Sequence, residues 1–214
     1  MKITKYGHCC LLIEVEGVRI LTDPGSYSEG YQQLENLDAV LITHEHPDHL
    51  HVDSLKEVLA NNPNCAVISN RGVGKLLDEA SIAYTVVADG ETSLVKEILI
   101  EGLGTEHALI YPGLPQVENT GYFIAKTLFY PGDAFYNPQR PVKILALPVA
   151  GPWLKISEVI DYALTVKPTT CIPVHDGTQK GPNFTYGIIA RILGEKGIGF
   201  VPLENTIATE LPTN

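Results

Sequence analysis

Basic residues are scarce in this chain. Fifteen Lys and Arg stand against twenty-five Asp and Glu, a net charge of -10. An acidic surface repels a phosphate backbone, so nucleic acid is not an expected partner. Long apolar runs are absent as well. No stretch reaches the roughly 20 residues of a membrane-spanning helix, and MKITKYGHCC at the start holds no signal-peptide core. Cysteine is limited to Cys9, Cys10, Cys65 and Cys171, in no spacing that suggests a disulfide framework. A reducing, cytoplasmic setting without a membrane partner is the expectation. No G-x-G-x-x-G or phosphate loop follows a strand, and no G-x-S-x-G elbow offers a serine nucleophile. Linker-like breaks and low-complexity segments are missing too, so residues 1–214 are expected to form one domain. The composition is compatible with a homo-oligomer and sets no oligomeric state.

What is present is a globular pattern, 44% hydrophobic and 19% charged. KITKYG, HCCLLIEVEG and VRILTDP read as short strands with a turn at Gly17. LDAVLITH is a buried strand. Val52, Leu55, Val58 and Leu59 recur at helical spacing before Pro63. CAVIS, GVGKLLDEA and a β-rich run to LFYPGD follow. The last third alternates: KILALPVA, a helix over ISEVIDYALTVKP capped by Ser157, TTCIPVHDG, a helix closed by Gly197, and GFVPLEN. Too many strands follow one another for a simple doubly wound sheet. Two sheets packed face to face with helices outside fit the count.

The chemistry concentrates in THEHPDHLH, Thr43 to His51, which holds four of the seven histidines. Imidazole and carboxylate at this spacing suit zinc, manganese or iron. In an extended segment alternate side chains point the same way, so His44 and His46 can face one metal. Asp48 and His49 come where the chain turns into a helix and can face a second. Pro47 stiffens that turn. Glu45 and His51 read as bystanders, and Cys9 and Cys10 as core residues.

THEHPDH resembles the T-H-x-H-x-D-H signature of the metallo-β-lactamase superfamily. The resemblance covers nearly the whole chain. YGHCCLLIEVEGVRILTDP, LFYPGD and CIPVHDG resemble segments of the branch that contains L-ascorbate-6-phosphate lactonase and related metal-dependent hydrolases. It implies an αββα sandwich, a four-layer α/β architecture of two similar halves, with a one- or two-metal site along the sheet edges. It also implies three further ligands. His107 would complete the site of His44 and His46, His175 would join Asp48 and His49, and Asp133 would bridge. Asp23 in TDP resembles the acidic residue that supports a metal-bound histidine. His8 is a candidate substrate or acid/base group, and Trp153 and Lys155 are candidates for the pocket wall.

The implied activity is hydrolysis with two divalent ions, zinc foremost. Water between two cations loses its proton near neutral pH and attacks an acyl or phosphoryl centre. Asp48 is placed to orient it or take a proton. With little room for an added substrate domain, a small-molecule ester, lactone or phosphoester is the expected substrate. Rival readings are a phosphodiesterase or nuclease of the same fold, a metal-binding regulatory protein, and a di-iron oxidoreductase. The last resembles H-x-E-x-D, whereas position 46 here is His.

Overall fold

Successive residues of each strand face opposite ways, and here both ways lead to a core. Leu11 and Ile13 enter one apolar cluster while Leu12 between them enters another; Ile20 and Leu21 divide likewise, as do Leu145 and Ala146. Strands buried on both faces need three cores, and three cores need four layers. The computed structural model describes residues 1–181 and 183–213 and has this arrangement.

The elements run β1 (Lys2–Lys5), β2 (Leu11–Val15), β3 (Val18–Thr22), β4 (Ala39–Leu41), α1 (Val52–Asn61), β5 (Ala66–Ser69), α2 (Arg71–Glu79) and β6 (Thr85–Val86). Then come β7 (Thr92–Val95), β8 (Ile98–Leu103), β9 (Gly121–Ile124), β10 (Leu128–Tyr130), β11 (Ile144–Pro148), α3 (Ile156–Val166), β12 (Thr170–Val174), α4 (Asn183–Gly194), β13 (Gly199–Phe200) and β14 (Thr209–Glu210). One sheet has the order β14-β1-β2-β3-β4-β5-β6 and the other β13-β12-β11-β10-β9-β8-β7. In each, an antiparallel meander leads into parallel strands joined by helical crossovers. The expected αββα sandwich is therefore the observed one.

Ile3, Ile13, Ile20, Tyr122, Ile144 and Ile172 fill the space between the sheets. Leu55, Val58, Val73 and Leu77 of α1 and α2 cover the outer face of the first sheet. Val159, Ala163, Ile189 and Leu193 of α3 and α4 cover the second. Burying each large aliphatic side chain contributes about 2 kcal/mol before the entropy cost of ordering it. Among the described residues, no helix is long and apolar enough to cross a membrane.

Two local expectations are corrected. Ser157 is not the cap of α3: Ile156 is already helical, Lys155 is the N-cap, and Glu158 Oε2 accepts from the Lys155 amide at 2.7 Å. GFVPLEN forms only the two-residue β13, and the sequence pattern gave no sign of β14, whose pairing with Lys2 and Ile3 spans nearly the whole chain.

Candidate metal centre

Parallel pairing of β3 with β4 brings two turns together at their C-terminal ends. The first carries Asp23 and the second carries residues 43–51. They are stitched through the backbone, with Ser26 N donating to Pro47 O at 2.8 Å and His51 N to Pro24 O at 3.0 Å. The second turn is tight: the amides of His49 and Leu50 both donate to His46 O at 2.9 Å. α1 then starts after His51, an exposed N-cap whose Nδ1 lies 2.8 Å from Ser54 Oγ.

Asp23 is wholly buried and organises this loop. Its Oδ1 accepts from Thr43 N at 2.8 Å; its Oδ2 lies 2.8 Å from Thr43 Oγ1 and 2.7 Å from His49 Nδ1. The Tyr130 hydroxyl stands 2.8 Å from both Asp23 Oδ2 and Cys9 O, sharing one proton between two acceptors. Burial, with Asp23 beside it, raises the Tyr130 pKa well above the ordinary value, so it stays a donor.

The second sheet supplies the rest. Asp133 follows β10 through Gly132, whose φ of +65° suits glycine. Asn119 braces this turn: its Oδ1 accepts from Asp133 N at 3.1 Å and its Nδ2 donates to Pro131 O at 2.9 Å. His175 follows β12 in a left-handed conformation, φ +61°, with its amide held by His8 O at 3.0 Å. His107 follows β8, its amide donating to Val117 O at 3.1 Å.

The expected residues converge. His44 Nε2 and His46 Nδ1 are 3.1 Å apart, and the ligand atoms of His44, His46 and His107 all lie within 4.8 Å of one another. Asp133 Oδ1 is 3.2 Å from His49 Nε2; its Oδ2 is 2.9 Å from His175 Nε2 and 3.3 Å from His107 Nε2. Asp48 Oδ2 is 3.3 Å from His8 Nε2, 3.5 Å from His175 Nε2 and 3.9 Å from His49 Nε2. Four donors at about 2.0–2.1 Å around a tetrahedral cation stand about 3.3 Å from each other, the spacing seen here.

The residues fit a cation on a second ground. Among the described residues, His49 Nε2, His107 Nε2, His175 Nε2 and Asp133 Oδ1 are buried and find no hydrogen-bond partner. Burial would raise the Asp133 pKa, but the imidazoles of His49, His107 and His175 packed around it outweigh it and hold it well below the ordinary value. Asp48 is lowered in the same way, with the His175 and His8 rings beside its Oδ2 overcoming burial. Burial first, then the neighbouring His49, lowers the His44 pKa well below the ordinary value and keeps that ring neutral. Ionised carboxylates beside bare ring nitrogens are the donor set that zinc, manganese and iron accept.

Some participants escaped the sequence. The Trp153 indole donates to Asp133 Oδ2 at 3.0 Å, which is more than a pocket wall. Cys9 is buried in the inter-sheet core as expected, yet its sulfur lies within 4.8 Å of ligand atoms on His8, His49 and His175. Thr43, Asn119 and Tyr130 act only through tertiary hydrogen bonds. Lys155 is exposed at the start of α3.

An αββα sandwich with a histidine–carboxylate cluster at the ends of its parallel strands defines a metallo-hydrolase fold. A family model described as the beta-lactamase superfamily domain matches residues 2–175, and the chain belongs to that superfamily. It is similar to Protein Rv0786c of Mycobacterium tuberculosis, 37% identical over 180 residues, covering 82% of this chain and 84% of the relative. It is also similar to a UPF0173 metal-dependent hydrolase of Methanocaldococcus jannaschii, 25% identical over 194 residues, covering 82% and 84%. In fold it resembles Igni18, a metallo hydrolase from Ignicoccus hospitalis, with a TM-score of 0.76, 20% identity and 99% of each chain covered.

Proposed function

We propose that the protein is a metal-dependent hydrolase of a small-molecule ester or lactone, with a phosphoester as the alternative. The observation that carries the reading is Asp133. Its carboxylate is nearly sealed from solvent, with one oxygen facing His49 and the other facing His107 and His175. In this reading His44, His46 and His107 would hold one cation, Asp48, His49 and His175 would hold the other, and Asp133 would be available to both. Two bound divalent ions, zinc foremost and manganese or iron next, would activate water and polarise the scissile group.

The chain's own groups divide the remaining work. Asp133 is 3% exposed in its side chain and Asp48 21%, so Asp48 is the carboxylate that meets solvent and substrate. It orients the attacking water and takes its proton. Asp23 fixes His49 by receiving its Nδ1 proton.

The site's surroundings favour a neutral acyl compound over a phosphorylated one. Leu109, Ile110, Tyr111 and Leu114 are exposed on the loop that follows His107 and, with His46, line one cleft. Among the described residues, no Lys or Arg lines that cleft or the two others that border His107 and Gly177. Phosphate recognition calls for such cations. Lys5 lies close by but is buried against Asp176 at 2.6 Å. Four free cysteines support a reducing cytoplasm as the setting.

The test is turnover of p-nitrophenyl esters of rising chain length, a lactone series and bis(p-nitrophenyl) phosphate by zinc- and manganese-loaded protein. Ester or lactone hydrolysis that a chelator stops is the expected result. Metal-loaded protein that cleaves only the phosphodiester overturns the substrate reading, and one inert to all three classes overturns the hydrolase reading.

A further inference from the structure

The site histidines differ in which proton their surroundings allow. A neutral imidazole carries one N–H and one lone pair, and the partner at one nitrogen decides which sits at the other. His49 Nδ1 faces the Asp23 carboxylate at 2.7 Å, which can only accept. His107 Nδ1 faces the carbonyl of Ala108. His44 Nδ1 faces Thr43 Oγ1 at 3.0 Å, whose own proton goes to Asp23 Oδ2 at 2.8 Å, leaving the hydroxyl oxygen to accept. All three rings therefore hold their proton at Nδ1 and turn a bare Nε2 toward the site.

His8 is wired in the opposite sense. Its Nδ1 accepts from the main-chain amide of Gly177 at 3.0 Å, and an amide has only a proton to offer. The Nδ1 lone pair is engaged, so the neutral ring carries its proton on Nε2. That atom is buried, has no aligned partner, and lies 3.3 Å from Asp48 Oδ2. The fold packs the Gly177 and His175 side of His8 closely. The His8 carbonyl receives the His175 amide at 3.0 Å, and a Cβ on Gly177 would stand 3.0 Å from His8 Cβ and 3.1 Å from its Nδ1.

We propose that His8 is a hydrogen-bond donor among lone-pair donors, and that its Nε2–H positions the metal-facing oxygen of Asp48. The proposal rests on the reading of Asp48 as a ligand. His8 is near enough to Cys9, His49 and His175 to share a cation with them. Ligation through Nε2 would put a proton on Nδ1, head to head with the Gly177 N–H, so His8 stays outside the ligand set. In this assignment it is a positioning residue, and its ring carries no proton to or from substrate.

Long-range 1H–15N correlation spectra of 15N-histidine-labelled protein read the tautomer directly, with His8 assigned by its loss in His8→Gln. The expected result is Nε2-protonated His8, with and without zinc, beside Nδ1-protonated His44, His49 and His107. An Nδ1-protonated His8 overturns the proposal. Zinc affinity, by chelator competition, gives the second readout. His8→Ala is expected to weaken zinc binding about 10-fold, the lower range for partners of metal ligands, and His8→Gln, which keeps an N–H donor, to restore most of it. Equal loss in both overturns the positioning role; if His8→Ala fails to fold, the wild-type spectra decide. Neither readout needs turnover, so a wrong hydrolase assignment would show in the ester assay and leave these measurements standing.

Discussion

Asp23 and Asp133 occupy matching places in the two halves of the molecule. Each follows the last meander strand of its sheet, β3 or β10, and each lies beside the parallel strand that comes next. In the first half the loop after β4 turns back onto Asp23 with Thr43 and His49. In the second the loop after β11 turns back onto Asp133 with Trp153. The difference is in what is left over. Asp23 has both oxygens engaged by protein donors, whereas Asp133 Oδ1 has no hydrogen-bond partner among the described residues. A carboxylate whose acceptors are consumed is a brace; one with a bare oxygen among bare imidazoles is a ligand in waiting.

Removing the second carboxylate tests this contrast most severely. Asp133→Ala is expected to leave a folded protein by circular dichroism, with metal content reduced and ester hydrolysis down more than about 100-fold, the upper range for residues that only support a ligand. Full metal content in that variant would show that Asp133 does not bridge. Asp23→Asn should act more mildly, through His49. An amide NH2 facing Nδ1–H forces a ring flip or a lost hydrogen bond, costing about 1–3 kcal/mol of stability. Metal affinity should fall about 10- to 100-fold. Unchanged zinc affinity would mean that His49 does not need its brace.

The same contrast explains how much could be read from the sequence. H-x-H-x-D-H is legible because the residues that share a site also share one turn, after an apolar strand that announces its end. Two-sheet architecture was legible from consecutive strands, and α1 from Val52, Leu55 and Val58, which fill one face. His107, Asp133 and His175 could be proposed only because each follows a β-rich run in the order the resemblance implies. The braces were another matter. Trp153 meets Asp133 across 20 residues and Tyr130 meets Asp23 across 107, and neither has a local pattern, since the contact is made by the sheets. Asp23 stood out only because TDP resembles the segment that carries the family's supporting acidic residue. The tautomer of His8 depends on an amide 169 residues away and had no trace in the chain.

Trp153 gives a finer cut at the second half. Trp153→Phe keeps an aromatic ring edge-to-face with Phe135 and His107 but removes the N–H that donates to Asp133 Oδ2. Hydrolysis should drop about 10-fold or less, with metal stoichiometry intact. A loss as large as that of Asp133→Ala would move Trp153 from brace to essential part.

The smallest effect is expected where neither half contributes a hydrogen bond. Leu109, Ile110, Tyr111 and Leu114 stand exposed on a loop held mainly at its ends, by His107 N to Val117 O and by Ala108 N to Asp133 O. Polar replacement there leaves the cluster untouched, because none of the four is a ligand or a brace. Tyr111→Ser combined with Leu114→Ser should raise KM for long-chain p-nitrophenyl esters by about 3- to 10-fold, since each lost apolar contact of this size is worth about 1–3 kcal/mol when fully formed and less on an open surface. Turnover of the acetate ester and zinc content should not change. If the acetate ester suffers equally, the loop supports the metal cluster and not the substrate's apolar part, and the division between a hydrogen-bonded floor and an apolar wall fails.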